Sequence, residues 1–570
     1  MTIRFEARAD GWTAHWPEAG VTLTGDGPPD EVEVHGSVLR VTGRRVRDGR
    51  LVALDAAVDL DPSTSSRLVN GYHSWDYAGV RPAAEAGHTW WGGAVADRSG
   101  GPGLAFLAGA ADRLATSFRT EPADGSVRVV GMAGGAPDLH PVPESWGFRP
   151  TEATGIDLTA VGIERAEPVL ITADADAMTA MERLAEEVGA SMGARRWEGP
   201  PILGWESWYH YGFSVTPEVV LANARLMRER FPERFSVVQI DDGWQRAYGD
   251  WSPRGGWPAD LGDLVAEVEG LGCLPGLWLA PFMVAPGEPG IGVDRPDLML
   301  GHAGSAHPLR DPLMNRHGLD ATHPDSLEWL RGLGAQVRAW GFRMVKLDFL
   351  YIGAQEGRRH DGSMTGTQAL RAGLRAFVDG VGDDVYVLGC GMPYLPAVGI
   401  CHGNRIGGDL AAPIVWPFPD LAPFDPDDGW AGIPPTARNV AARWWSHRRL
   451  FDNDPDVVMA AGPDDGPPYT VDEAQVLAAV ALACGGPVFL ADDLGALTRA
   501  KRAVLEARPL VEGSWNAGYR PDDLFSRVDE APDPEFYRRP SRVPATWSPP
   551  PGPTETGITV DWHQRRARHG

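Results

Sequence analysis

Two patterns of apolar and polar positions divide the chain. Up to about residue 172, apolar and polar residues alternate over short stretches such as 31–34 (Glu-Val-Glu-Val) and 126–130, with turn residues at close intervals. A period of two places the apolar side chains on one face of a strand, and many short strands of this kind are typical of a β-sandwich. We therefore predict an N-terminal β-sandwich over 1–172 and a helical linker over 173–199.

From residue 200 to 508 short apolar stretches alternate with amphipathic ones. The strand candidates are 202–208, 236–241, 274–281, 343–350, 385–390, 402–409, 457–461 and 488–491. The helix candidates are 217–231, 261–271, 326–340, 367–381, 436–451 and 471–483. Strands that alternate with helices form parallel sheets through right-handed crossovers, and eight such units over about 300 residues predict a (β/α)₈ TIM barrel.

The last part of the chain, 509–570, is rich in proline and contains one strand candidate, 557–562. About sixty residues make a poor independent core. We therefore expect a short, partly ordered segment that packs on the barrel.

Composition narrows the range of partners. The formal charge of −25 opposes binding to nucleic acid or to an anionic membrane, and no 18-residue apolar run is present. The N-terminus lacks an apolar signal core, and the four cysteines form no Cys-x-x-Cys pair, so we expect a cytoplasmic protein. The 22 tryptophans offer flat apolar faces that suit sugar rings. We therefore expect a small-molecule or oligosaccharide substrate.

Carboxylates and aromatic side chains gather where the predicted strands end. Active sites of such barrels lie at the C-terminal ends of the strands. The candidates there are Trp208, Asp241, Asp242, Trp278, Asp348 and Asp409. Two opposed carboxylates between aromatic walls are the groups that glycoside hydrolysis requires. Asp-Gly turns also end strands for structural reasons, so the joint pattern carries the prediction.

One of the two lysines in the chain lies within this set. Of 52 basic residues only Lys346 and Lys501 are lysines, and Lys346 precedes Asp348 by two positions. Residues two apart on a strand face the same side. We predict that Lys346 lies in salt-bridge range of Asp348 or Asp241 and lowers the pKa of Asp348, which keeps that carboxylate ionised. A chance lysine at a strand end is the alternative.

The motifs in this part of the chain, taken together, resemble a known family. They are Gly204-x-x-Ser207-Trp208, Asp241-Asp242-Gly243-Trp244, Leu277-Trp278, Lys346-x-Asp348, Cys390 and Arg405-x-x-x-Asp409. Their order and spacing resemble the α-galactosidases (melibiases) of glycoside hydrolase family 36. Residues 70–75 (Asn-Gly-Tyr-His-Ser-Trp) are similar to that family's loop over the active site.

The resemblance implies a retaining, exo-acting enzyme that uses no cofactor and no metal, with Asp348 as nucleophile and Asp409 as acid/base. The implied sugar contacts are Asp241 and Asp242 to O4 and O6, Lys346 to O3 and O4, Arg405 on the O2 side, Cys390 near the axial O4, Trp208 and Trp278 against the apolar edge, and Trp75 from the loop. Asp456 either pairs with Arg405 or caps a turn. Alternatively, Cys390 is a buried structural cysteine, and Trp75 packs at the interface between the β-domain and the barrel.

Two departures from the family leave alternatives open. Ala280-Pro281-Phe282 stands where the family often has Glu-Pro-Glu, and the usual C-terminal β-domain is shortened or missing. The first affects the leaving-group preference, and the second leaves open whether the protein is a homo-oligomer. The alternative functions are an α-N-acetylgalactosaminidase, a raffinose-type transglycosylase, a metal-dependent barrel enzyme and an inactive sugar-binding protein. Lys346 argues against the metal, because a cation beside Asp348 competes with it.

Overall fold

The computed structural model describes most of the chain. The described residues are 2–28, 31–99, 101–137, 152–232, 234–303, 305–311, 314–410, 432–462, 468–506, 520–521, 524–526, 546–548, 558–561 and 566–569.

The N-terminal part consists of strands. They are β1 Arg4–Ala7, β2 Gly11–Trp16, β3 Val21–Asp26, β4 Val32–His35, β5 Val38–Val41, β6 Val46–Arg47, β7 Arg50–Val58, β8 Ser65–Val69, β9 Gly79–Pro82, β10 Gly87–Trp90, β11 Gly92–Asp97, β12 Gly103–Ala108, β13 Ala115–Ala123, β14 Ser126–Gly134 and β15 Val169–Asp174. One antiparallel sheet has the order β1-β2-β3-β7-β14-β13-β10 with β6 beside β7, and the other has the order β4-β5-β15-β12-β11-β8-β9.

Apolar residues of the two sheets form one buried core. Phe106 on β12 and Phe118 on β13 belong to different sheets, and their ring centroids are 4.8 Å apart. Val21 and Leu23 on β3 are fully buried with them, whereas the alternate residue Thr24 is exposed. The alternation predicted for the N-terminal part is therefore confirmed as paired β-sheets.

The second part alternates strands with helices. Its elements are α1 Ala177–Met192, β16 Leu203–Glu206, α2 Trp208–Tyr211, α3 Pro217–Arg230, β17 Val237–Ile240, β18 Gln245–Ala247, β19 Asp250–Pro253, α4 Leu261–Gly270, β20 Leu274–Leu279, β21 Met283–Val284, α5 Ile291–Asp294, β22 His317–Gly318, α6 Pro324–Trp340, β23 Met344–Leu347, α7 Gly366–Val381, β24 Tyr386–Gly389, β25 Gly403–Arg405, α8 Ile433–Ala442, β26 Asp452–Asp454, β27 Val457–Val458, α9 Val471–Cys484, β28 Val488–Leu490 and α10 Arg499–Leu505.

The principal sheet of this part is parallel and curled. Its order is β26-β25-β24-β23-β20-β17-β16-β28-β27, and each pair of neighbours is parallel. The two end strands, β26 and β27, are consecutive in the chain and are separated only by Pro455 and Asp456. Of the predicted (β/α)₈ barrel, the α/β class and the parallel strands are confirmed, in the form of this curled sheet.

Three predicted elements show the largest differences in their bounds. The sixth strand ends at Arg405 rather than at Asp409, because Gly407 and Gly408 lead the chain out of the sheet. The helix predicted over 436–451 ends at Ala442 and is followed by a 3₁₀ turn, Trp444–Ser446. The predicted seventh strand, 457–461, is observed as β27 at Val457–Val458, and the additional strand β26 lies in the polar stretch Asp452–Asp454, where apolar patterning gives no signal.

Little of the proline-rich 509–570 segment lies within the described residues. Those residues form a four-stranded sheet of β29 Arg520–Pro521, β30 Thr546–Ser548, β31 Ile558–Asp561 and β32 Arg566–His569, in that order. The predicted strand 557–562 corresponds to β31, and β31 and β32 lie against α9. Within the described part of the chain, no helix has the length and hydropathy that a membrane span requires.

Candidate active site

Asp348 directly follows β23 at the carboxyl end of the parallel sheet. Its Oδ2 accepts a hydrogen bond from Trp278 Nε1 at 3.0 Å, and its Oδ1 accepts one from the backbone N–H of Phe349 at 2.7 Å. Phe349 has a φ of 51°, in the left-handed region that non-glycine residues rarely adopt. Such conformations concentrate at functional sites, where the surrounding structure holds them. The turn thus fixes a buried carboxylate whose oxygens are directed by two donors.

Burial raises the pKa of Asp348, whereas Lys346, the Trp278 indole and the Phe349 N–H lower it. The prediction that Lys346 lowers the pKa of Asp348 is correct for the direction of that one interaction. It is wrong for the overall pKa of Asp348, which is raised, because the desolvation of the buried carboxyl outweighs the effect of the neighbouring Lys346 charge. The site therefore holds a carboxylate that its protein surroundings stabilise only in part.

Lys346 forms its salt bridge with Asp241. The Nζ atom lies 2.8 Å from Asp241 Oδ2, which also accepts a hydrogen bond from Gln239 Nε2 at 2.6 Å. Burial alone would lower the pKa of Lys346, but Asp241 and then Cys390 and Asp348 raise it well above its usual value. Lys346 is therefore a permanent cation between two strand ends.

Asp242 is held by groups that follow it in the chain. Gln245 Nε2 donates to its Oδ1 and the Tyr248 hydroxyl to its Oδ2, both at 2.6 Å. Burial raises the pKa of Asp242 to about 7, against the two hydrogen bonds, which lower it. The two adjacent carboxyls are thus kept apart by different partners, Lys346 for Asp241 and neutral donors for Asp242.

Arg405 joins two aspartates on the other side of the curled sheet. Its Nη2 lies 2.9 Å from Asp409 Oδ1 and 2.7 Å from Asp456 Oδ2, and it donates to the Gly408 carbonyl at 3.1 Å. Of the two alternatives for Asp456, the pairing with Arg405 is the one observed. The Asp409 side chain is 28% exposed while that of Asp456 is 2% exposed. Asp409 is thus the more solvent-accessible of the two carboxyls.

Tyr209 and the Leu410 N–H complete the surroundings of Asp456. The Tyr209 hydroxyl donates to Asp456 Oδ2, and the Leu410 N–H donates to the same oxygen at 2.7 Å. Burial raises the pKa of Asp456 to about 7, Arg405 lowers it and Asp409 raises it.

The negative charges of Asp409 and Asp348 also interact, and Asp409 raises the pKa of Asp348. The two candidate catalytic carboxyls therefore lie within electrostatic reach of each other.

A loop of the N-terminal part reaches this region through Trp75. Its Nε1 donates to Cys390 Sγ at 3.3 Å, and its ring meets the edge of Phe349 with centroids 5.4 Å apart. Arg405 Nη1 lies 3.7 Å from the same sulfur. Cys390 is buried, and burial raises the pKa of its thiol well above the usual value. The thiol is therefore neutral and lies between the loop and the strand ends.

Arg443 fixes that loop. The fully buried guanidinium donates to Asn70 Oδ1 at 2.8 Å, to the Ile406 carbonyl at 2.9 Å, and to the carbonyls of His73 and Ser74. Five donors in one plane allow arginine to hold several carbonyls at once. Sequence patterning did not identify Arg443, because its role depends on two parts of the chain more than 300 residues apart.

Trp208 and Glu206 lie at the end of β16. The Trp208 ring is half-buried, and the backbone N–H of Trp208 donates to Glu206 Oε2 at 2.9 Å. Glu206 Oε1 is buried and has no hydrogen-bond partner among the described residues. Burial, followed by the charge of Asp241, raises the pKa of Glu206 well above its usual value, and Lys346 opposes this. Sequence reasoning missed Glu206, although a charged residue in an apolar strand is a visible signal.

Other acidic residues near the strand ends have structural partners. Asp492, after β28, accepts hydrogen bonds from the N–H groups of Ala460 and Ala461 at 2.8 and 2.7 Å, so it stabilises the chain that follows β27. Over the described part of the chain, no group of three or more His, Cys, Asp or Glu residues has a geometry that could hold a metal ion.

Solved structures share this architecture. The α-galactosidase TtGalA from Thermus thermophilus, solved with p-nitrophenyl α-D-galactopyranoside, has a TM-score of 0.64 and 23% identity, covering 90% of this chain and 95% of its own. The GH36 α-galactosidase AgaA from Geobacillus stearothermophilus has a TM-score of 0.59 and 15% identity, covering 91% and 74%. The chain has the fold of the family 36 α-galactosidases. The predicted resemblance is confirmed at that level.

Comparison of sequences alone matches a smaller part of the chain. The myogenesis-regulating glycosidase of Mus musculus is 31% identical over 132 residues, which are 22% of this chain and 18% of that protein. No protein-family model matches the chain.

Proposed function

We propose that the protein is a retaining, exo-acting glycoside hydrolase that releases terminal α-galactose from oligosaccharides. The observation that carries the proposal is the pair of carboxyls, Asp348 held by Trp278 and Asp409 held by Arg405, within electrostatic reach of each other at the carboxyl end of the parallel sheet. TtGalA and AgaA have been solved with stachyose and raffinose, respectively, and this supports the same substrate class.

The mechanism begins with Asp348. Its carboxylate attacks the anomeric carbon while Asp409, protonated, donates its proton to the departing oxygen, and a galactosyl-enzyme ester forms. Asp409, now a carboxylate beside Arg405, then takes a proton from water, which attacks the ester and releases galactose with retained configuration. Retaining enzymes hold the two carboxyls about 5–5.5 Å apart, and we propose that spacing here.

The remaining side chains orient the sugar. Asp241, made rigid by Lys346, and Asp242 accept hydrogen bonds from O4 and O6, while Lys346 donates to O3 and O4. Arg405 lies on the O2 side and Cys390 near the axial O4. Trp278 and Trp208 pack on the apolar edge of the ring, and Trp75 closes the site from the N-terminal loop. Because the cations and carboxylates are already paired, little reorganisation is needed when the sugar binds.

We further infer that the parallel sheet closes as an eight-stranded barrel, with β26 and β27 as two halves of the seventh strand. Their separation by only two residues supports this. We also propose that the domain boundaries lie near residues 172, 200 and 508.

A panel of nitrophenyl α-glycosides tests the function. We expect release of nitrophenol from the α-galactoside and much slower release from the α-N-acetylgalactosaminide and the α-glucoside. Activity should persist in excess chelator. Preference for the N-acetylated sugar, or loss of activity with chelator, would contradict the proposal and favour the corresponding alternative.

A further inference from the structure

We propose that Phe213, supported by Trp208, is the binding surface for the sugar ring next to the galactose, on the leaving-group side. We call this pair of residues the aromatic shelf. The inference rests on the proposed function and assigns a second subsite to the same active site.

Phe213 is unusual for its exposure. Among the described residues, the large apolar side chains that are exposed are Val34, Val46, Phe213 and Val293, and Phe213 is the aromatic one, with 59% exposure. Its ring stands perpendicular to that of Trp208, with centroids 5.2 Å apart and an interplanar angle of 88°. A pyranose offers axial C–H groups to such a face, and burial of the ring supplies the binding energy.

The loop that carries Phe213 is fixed rather than loosely exposed. Arg254 Nη2 donates to the carbonyls of Phe213 at 2.7 Å and of Val215 at 3.1 Å. The Arg254 N–H in turn donates to the Trp244 carbonyl at 2.9 Å, and Val215 is fully buried. A loop whose backbone is held in place before the ligand arrives loses less entropy on binding, which favours an effective contact.

Gly243 brings this loop next to Asp241 and Asp242. It has a φ of 114°, and a Cβ at this position would lie 3.1 Å from the Phe213 Cα. A side chain there would be strained and would push the shelf outward. Glycine after the aspartate pair therefore allows the exposed ring and the buried sugar-binding carboxylates to share one wall.

Depth in the site indicates which sugar the shelf binds. Asp348 and Lys346 are each 8% exposed, Trp208 is half-buried and Phe213 is mostly exposed. A galactose against Asp348 lies at the bottom of this gradient. A ring on Phe213 is therefore farther out, where the group bonded to the departing oxygen must lie. The same shelf binds an acceptor sugar when the galactosyl-enzyme reacts with a sugar instead of water.

The test compares a sugar leaving group with fluoride. Phe213→Ala should lower the ratio of kcat/KM for raffinose to kcat/KM for α-galactosyl fluoride about five- to tenfold, because fluoride cannot contact the shelf. Phe213→Tyr should retain the wild-type ratio, since it keeps the ring. Val293→Ala, which removes an exposed apolar side chain elsewhere, is the matched control. The yield of galactosyl transfer to added sucrose, relative to hydrolysis, should fall in Phe213→Ala as well.

The outcomes separate the two proposals. If Phe213→Ala leaves the ratio of the two kcat/KM values unchanged, including through an equal fall with both substrates, the proposed role of the aromatic shelf is wrong. The α-galactosidase proposal would still stand. A wild-type protein that cleaves neither substrate overturns the proposed function, and the shelf with it. Binding of raffinose to Asp348→Ala, measured by calorimetry, gives a second readout. There Phe213→Ala should weaken raffinose binding and alter galactose binding less than twofold.

Discussion

Lys346 and Asp241 form an ion pair across the curled sheet. The Nζ of Lys346 on β23 lies 2.8 Å from Oδ2 of Asp241, which follows β17, and β20 runs between these two strands. Both side chains are nearly fully buried. A buried pair costs desolvation energy and is weak evidence for stability, so its value here lies in holding a carboxylate at a defined position.

Lys346→Arg should therefore fail although it preserves the charge. The planar guanidinium fork needs more room than an ammonium, and Lys346 is buried together with Asp241 and the adjacent Trp278. We expect kcat/KM for nitrophenyl α-galactoside to fall at least about a hundredfold, which corresponds to roughly 3 kcal/mol. Lys501→Arg is the matched control, because the Lys501 Nζ donates to the Ala461 backbone carbonyl at 3.1 Å and not to a residue of the candidate site. Near-normal activity of Lys346→Arg would show that the site does not require a lysine.

Glu206 and Asp241 should respond in opposite ways to amide substitution. Burial raises the pKa of Glu206 well above its usual value, and the groups that face it are Asp241, Asp456 and Lys346. The raised pKa favours the protonated carboxyl of Glu206, which the amide of Glu206→Gln mimics. We expect that variant to keep most of its activity and to lose less of it at alkaline pH, where the wild-type carboxyl ionises.

Asp241→Asn removes the anion that pairs with Lys346 and should be inactive at every pH. The measurement is the pH profile of kcat/KM for both variants and the wild type. If Glu206→Gln proved as inactive as Asp241→Asn, Glu206 would be ionised in the working enzyme.

Asp456→Asn tests whether Asp456 acts through Arg405. The residue has a φ of 87°, which asparagine tolerates better than most residues, so the backbone should survive. Loss of one carboxylate leaves Arg405 paired with Asp409 alone and therefore changes the hydrogen bonding and charge beside the proposed acid/base. We expect kcat for raffinose to fall about tenfold or more, and kcat for a nitrophenyl galactoside to fall much less, because nitrophenolate departs without a proton. Equal losses would point to a structural role, and Asp493→Asn is the control.

The sequence was sufficient for the residues that end strands. Asp241 and Asp348 follow from apolar stretches of regular length, because strand ends of a parallel sheet meet at one edge, whereas Arg405 was indicated only by the family resemblance. It was insufficient where a contact joins distant segments. The hydrogen bond from Arg443 to Asn70 is an example, since the local sequence around either residue gives no signal of the contact. The protonation state of Glu206 could not be predicted either, because burial on all sides is a property of the folded chain.

Asp76 makes stability depend on pH. Burial raises its pKa from 3.8 to about 7, although the backbone N–H of His73 donates to it. The folded state therefore binds this proton more tightly than the unfolded chain, and stability is lost as pH rises from about 4 to about 7. Asp76→Asn removes the titration. We therefore expect the stability of Asp76→Asn relative to wild type, measured by thermal unfolding, to increase from pH 4 to pH 8. The increase should reach up to about 4 kcal/mol in unfolding free energy.

Asp61→Asn provides the control for that series. Asp61 is exposed, and the Ser63 hydroxyl holds its pKa below the usual value, so it does not titrate between pH 4 and 8. Its difference from wild type should stay constant over this range. A constant difference for Asp76→Asn as well would mean that Asp76 is already ionised at pH 4.

The two catalytic aspartates should give opposite signatures when removed. Asp348→Ala cannot form the galactosyl ester, so turnover of every α-galactoside should be abolished, and added azide should restore it with inverted configuration. Asp409→Ala still forms the ester from a nitrophenyl substrate but lacks the base for its hydrolysis. A burst of nitrophenol followed by turnover slowed about 100- to 10,000-fold is expected, and azide should accelerate that slow phase with retained configuration. Natural galactosides, whose leaving groups need a proton, should scarcely react with this variant. The configuration of the galactosyl azide, read by NMR, decides the assignment: the same anomer from both variants would mean that the two roles are not divided between Asp348 and Asp409.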